Sequence, residues 1–158
     1  MVALVAATAG MRAVQAQPQD RSHGDALPAA KDLARETAAA AARGEPLVVM
    51  VTLAGCAYCE LVRRHYLRPL LAEGRVPVVQ IDMRSQGELR SASGQAVREA
   101  ALARQWKVTM APTVLFLGPG GAELAPRLRG YSEDFYGGYL DSALEQARAR
   151  LASTTRRG

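Results

Sequence analysis

The central part of the chain carries a continuous apolar run, Leu47-Val48-Val49-Met50-Val51. A short apolar run without alternation predicts a strand covered on both faces. Pro77–Ile81 and Thr113–Leu117 read in the same way, and the first strand is expected to extend to Leu53. Cys56 to Leu71 lacks strand-like alternation and predicts a helix, with Pro69 expected to kink or end it. Other helices are predicted over Ala29–Arg43, Val97–Gln105 and Glu133–Leu151. The first is alanine-rich, with Leu33 as its main apolar anchor and Gly44 suited to its C-terminus. The last carries Phe135, Tyr139, Leu140, Leu144 and Ala147 toward a sheet. Gly118-Pro119-Gly120-Gly121 is a turn signal before a fourth strand, Leu124–Leu128, so the last two strands should form a hairpin. Together these elements predict an α/β fold, with a central mixed sheet of about four or five strands flanked by helices.

At 158 residues the chain suits one domain with a proper core. The packed domain is expected over 29–151, with a linker at 17–28 and a basic tail at 152–158. Residues 1–16 are expected to be a signal peptide. Met1 to Gly10 is apolar and small, and Ala13-Val14-Gln15-Ala16 before Gln17-Pro18 resembles a signal-peptidase site. Nothing basic precedes that apolar stretch, which leaves a cytoplasmic location as the alternative to the periplasm. The run is shorter than the ~20 residues a spanning helix needs, so no stable membrane insertion is expected. Formal charge is +5, much of it from arginines read as solvated helix faces: Arg63, Arg64, Arg68, Arg98, Arg148 and Arg150. Nucleic-acid binding would want a basic stripe interleaved with aromatics, and aromatics are only 5% of the chain. No nucleic-acid partner is expected.

The candidate chemistry lies in Gly55-Cys56-Ala57-Tyr58-Cys59-Glu60, which holds the 2 cysteines of the chain. A strand, a short turn and a helix opening on a cysteine make a redox arrangement. Cys56 would sit where unpaired N–H groups and the helix dipole favour a thiolate, and Arg63 and Arg64 would add to that field. Cys59, one turn deeper, would be less ionised. Cys56 is therefore expected to attack a substrate disulfide, and Cys59 to resolve the mixed disulfide. Tyr58, between them, is expected to tune the balance of thiol and disulfide. A zinc site would need two further ligands, and only His23 and His65 stand beside carboxylates; His65 is too close along the helix to give the usual second pair. Haem attachment is excluded by Glu60 directly after the second cysteine. A purely structural disulfide stays open. His65 and Trp106 are read as a helix-surface residue and a core or groove-edge aromatic, and Glu60 as a first-turn stabiliser.

A second motif, Ala111-Pro112-Thr113, runs into the strand Val114-Leu115-Phe116-Leu117. With the CxxC upstream, the chain resembles the thioredoxin superfamily over about residues 45 to 151. The resemblance implies a thioredoxin-like fold, a cis Ala111–Pro112 bond beside Cys56, and a substrate strand pairing with the Ala111 backbone. Gly130, just before Tyr131-Ser132, matches a glycine that members keep near the active-site surface. Substrate contacts are thus expected from Ala111, Pro112, Tyr58 and Gly130, with catalysis by Cys56 and Cys59. No metal and no cofactor beyond the redox-active Cys56–Cys59 disulfide are expected. The chain departs from the family pattern at Gly55, where thioredoxins carry tryptophan, and at Met50, where they carry a buried aspartate. Arg64 stands where the helix has its early proline, and a longer interval before Pro112 places an excess around Arg84 to Gln95. The function so implied is a periplasmic thiol–disulfide oxidoreductase that reduces disulfide-bonded exported proteins, with electrons from a membrane thiol donor. Alternatives are a disulfide oxidase or isomerase, or a non-catalytic protein-binding module, the last motivated by Met50.

Overall fold

The computed structural model describes residues 26–156. The expected signal peptide, most of the linker and the last two residues of the basic tail lie outside them. In chain order the elements are α1 (Leu33–Ala42), β1 (Leu47–Thr52), α2 (Ala57–Val62), a π-helical turn (Arg63–Leu67), α3 (Arg68–Ala72), β2 (Val78–Asp82), β3 (Glu88–Arg90) and β4 (Ala96–Arg98). They continue as α4 (Glu99–Gln105), β5 (Thr113–Leu117), a 3-10 turn (Pro119–Gly121), β6 (Leu128–Arg129) and α5 (Tyr136–Thr155).

The main sheet has the order β2-β1-β5-β6. β1 runs parallel to β2, with Met50 opposite Gln80, and antiparallel to β5, with Met50 opposite Val114. β5 and β6 are antiparallel. Every residue of β1 and β5 is buried, as expected of strands covered on both faces. Successive side chains alternate between two cores. Val48, Met50, Val78, Val114 and Phe116 face α2, α3 and α5 through Cys59, Val62, Leu70 and Leu144. Val49, Val51, Ile81, Leu115 and Leu117 pack on the opposite side with Leu33 and Leu102. This is a thioredoxin-like α/β fold.

Several boundaries differ from the pattern, each for a local reason. Helix α1 starts at Leu33, because Asp32 caps it by accepting the Arg35 N–H at 3.1 Å. The preceding residues are extended instead: Gln80 N–H donates to the Pro28 carbonyl and Ala30 N–H to the Gln80 carbonyl. Leu27 is buried in the core and the Pro28 carbonyl pairs with β2, so the packed chain begins within the expected linker. The long helix after the cysteines does not stop at Pro69. Its α-helical register widens to a π turn, in which Arg68 N–H donates to the Arg63 carbonyl, and Pro69 then falls in the first turn of α3. A proline is tolerated there because its missing N–H has no role. The expected strand Leu124–Leu128 is reduced to β6 and an isolated bridge between Leu117 and Glu123, since Pro126 has no N–H to pair.

The stretch Arg84–Gln95, read as an extra loop, is mostly a small hairpin. β3 and β4 pair antiparallel with Leu89 opposite Val97, and the first two residues of the expected helix, Val97 and Arg98, are therefore strand. The hairpin is tied down on two sides. Arg90 N–H donates to the Lys31 carbonyl, and the Glu99 carboxylate accepts the Asp82 N–H at 2.5 Å. Among the described residues, no helix is long and apolar enough to cross a membrane.

Candidate active site

The site forms where β1 ends and α2 begins. Gly55 takes φ +74°, a left-handed conformation that a side chain would strain, and this turns the chain into the helix. Cys56 follows as the extended N-cap of α2, its sulfur accepting the Cys59 N–H at 3.1 Å. Cys56 and Cys59 are joined by a disulfide, with their Cα atoms 5.2 Å apart. Cys59 is fully buried in the core and Cys56 is partly exposed. An attacking reductant or substrate thiol therefore meets Cys56 first.

The second motif reaches the same place. The Ala111–Pro112 bond is cis, and the Ala111 carbonyl oxygen lies 3.8 Å from Cys56 Sγ. Thr113 Oγ1 donates to the Met110 carbonyl at 2.8 Å and fixes this loop. Gly130 N–H donates to the Pro112 carbonyl at 2.8 Å, which brings Gly130, at φ +73°, against the same loop. Cys56, Cys59, Ala111, Pro112 and Gly130 thus converge, although the two cysteines and Gly130 are far apart in sequence. Tyr58 joins them from α2: it is exposed and stacks on Tyr131 with ring centroids 5.9 Å apart.

Tyr131 belongs to a cluster of tyrosines outside the two motifs. Tyr66 packs against Tyr136 at 4.9 Å, and Tyr131 lies 5.6 Å from Tyr136 and 6.3 Å from Tyr66. The signal was present in the sequence, since all 5 tyrosines fall at positions 58, 66, 131, 136 and 139. The hydrogen bond with Tyr66, then partial burial, pushes the Tyr131 phenol up from its ordinary value. Burial, and secondarily Tyr66, does the same to Tyr136.

The arginines divide. Arg64 and His65 are exposed, but Arg63 is buried, which corrects its assignment to a solvated helix face. Trp106 is half-buried at the edge of the second core. Glu60, in the first turn of α2, pairs with Arg63. Among the described residues no group of three His, Cys, Asp or Glu side chains is placed to hold a metal ion.

A model of the thioredoxin-like domain matches residues 33–147. The chain belongs to that family. Solved structures agree on the fold. Oxidised thioredoxin O2 of Arabidopsis thaliana is 19% identical with a TM-score of 0.51, covering 78% of this chain and 95% of that one. Thioredoxin O1 of the same plant is 15% identical with a TM-score of 0.52, covering 75% and 98%. A poplar thioredoxin h is 14% identical at 0.52, covering 70% and 86%. Among the curated proteins, none matches. A family member with a CxxC disulfide at a helix N-terminus is a thiol–disulfide oxidoreductase, and the chemistry follows from the geometry here. A thiolate attacks the partly exposed Cys56 sulfur along the open side, and the buried Cys59 is the leaving sulfur. In the reverse direction Cys59 attacks the Cys56 sulfur of a mixed disulfide. In the reduced pair the N-cap position stabilises the Cys56 thiolate, the form that attacks a substrate disulfide.

Proposed function

We propose that this oxidoreductase works as a reductant of disulfides in exported proteins. Cys56 forms the mixed disulfide, Cys59 resolves it, and a membrane thiol donor restores the dithiol. The observation that carries the exchange mechanism is the division of exposure between the sulfurs: Cys56 is accessible and Cys59 is fully buried. Support for the exported location comes from the apolar, small-residue N-terminus that ends at Ala16. The Ala111 carbonyl beside Cys56, and Gly130 bonded to the same loop, offer a backbone edge for an extended substrate segment, with Tyr58 and Pro112 beside it. In an oxidising compartment such substrates would otherwise stay disulfide-bonded.

The test is a pair of variants of the full chain, expressed in a bacterium that has a periplasm. Cys56→Ser should lose insulin reduction with a chemical dithiol as electron source. Cys59→Ser should accumulate mixed disulfides, and the trapped proteins should be exported ones. Retained turnover in Cys56→Ser would sink the mechanism. Trapped partners drawn only from cytosolic proteins would sink the location.

A further inference from the structure

Arg63 is an unusual residue for the inner side of an active-site helix. It is 7% exposed. Its guanidinium is fixed from three sides: Nε donates to Gln80 Oε1 at 3.1 Å, Nη2 donates to Thr52 Oγ1 at 3.0 Å, and Nη1 pairs with the Glu60 carboxylate. Thr52 and Gln80 are neutral. The Glu60 side chain is 54% exposed, so water screens its charge while the guanidinium stays in the interior.

This cation lies in the layer that holds the inner sulfur. Arg63 N–H donates to the Cys59 carbonyl, and residues four apart on a helix have Cβ atoms about 6 Å from each other. Gln80, which Arg63 binds, is the register partner of Met50, and Met50 shares a core cluster with Cys59. Thr52 lies two residues beyond Met50, on the same face of β1. Where a buried acid would contribute negative charge from position 50, this chain has a thioether, and a positive charge enters instead from the helix. Other charged or titratable groups around the layer are Arg64 and His65, exposed on the helix, and Asp82, whose carboxylate accepts the Arg84 N–H. Glu99 accepts the Asp82 N–H, and the phenols of Tyr66 and Tyr136 stand on the side of α5. None of these is a buried cation.

We propose that Arg63 sets the redox balance of the pair by stabilising the thiolate that the reduced pair carries. The inference deepens the reading of Cys56–Cys59 as a redox centre and rests on it. When a dithiol donor reduces the pair, the Cys56–Cys59 bond breaks and the donor's two sulfurs join. Two electrons pass to the protein, one donor proton stays on one cysteine, and the other goes to solvent, leaving one thiol and one thiolate. The disulfide is neutral and the reduced pair carries the negative charge, so a cation in low dielectric favours the reduced form. It makes the disulfide the stronger oxidant.

The experiment compares the full chain with Arg63→Met, Arg63→Gln and Arg63→Lys, each equilibrated with dithiothreitol buffers and each titrated by thiolate absorbance. Removing the charge should shift the equilibrium about tenfold toward the disulfide, which is about 30 mV. It should also raise the lower thiolate midpoint by about one pH unit. Arg63→Lys should stay near the parent, because it keeps the charge while losing the fork. Arg63→Gln keeps polar contacts to Thr52 and Gln80, and it carries the test if Arg63→Met does not fold. Parent-like values in the neutral variants would overturn the proposal, as would an equal shift in Arg63→Lys. A parent disulfide that resists dithiothreitol altogether would instead overturn the redox-centre reading beneath it.

Discussion

Tyr136 holds a buried hydroxyl with no hydrogen-bond partner among the described residues. Burial raises its pKa above the ordinary 10.0. The sign of the pH effect follows from that shift. Below pH 10 both folded and unfolded chains keep the proton, so the folded state loses nothing. Above pH 10 the unfolded chain gives up a proton that the folded chain retains, and stability falls by up to about 1.4 kcal/mol per pH unit until the folded group also titrates. Tyr136→Phe should remove that slope in alkaline denaturation. At neutral pH it should stabilise the fold by about 1 kcal/mol, since the hydroxyl is desolvated without a partner. An unchanged alkaline slope would show that the hydroxyl is solvated. At this scale the sequence was legible where chemistry is rare: two cysteines and an Ala-Pro-Thr named the site. Arg63 was not legible, because an arginine one turn along a helix looks the same whether it faces water or a sheet. Only the partners Thr52 and Gln80, contributed by two different strands, decide it.

Among the elements, α1 depends most on its first turn. Asp32 Oδ1 accepts the Arg35 N–H, and Glu36 Oε1 accepts the N–H groups of Lys31 and Asp32 at 3.0 and 3.3 Å. Asp32→Ala should therefore lower unfolding free energy by about 1 kcal/mol in urea titration, with an unchanged m-value. No loss would mean that the cap is replaced by solvent at no cost. Strands covered on both faces were legible as apolar runs, and their bounds fell within a residue or two. Element ends were less so. The helical start at Leu33 is set by which residue can cap, and the alanine-rich run downstream carried no such information. The hairpin β3–β4 was hidden because its three-residue strands are short and polar outside. Leu89 and Val97 are their buried or half-buried members. The π turn was hidden as well, since Pro69 alone does not say whether a helix will break or widen.

For the molecule as a whole, the two cores place a rigid sheet beneath the disulfide. Met50, Val114 and Phe116 hold α2 and α5 against one face, so Cys59 is fixed from below while Cys56 remains at the rim. The cis Ala111–Pro112 loop and Gly130 close the other side of that rim. Such an arrangement presents one sulfur to partners and withholds the other, which is what exchange through a mixed disulfide requires. The central claim, that this pair is a working redox centre of reductive character, is tested most directly by its reduction potential in the full chain. A value near about −270 mV is predicted, in the range of a thiol reductant. A value near about −120 mV would contradict the reductive role and mark an oxidant, while resistance to reduction below about −300 mV would make the bond structural.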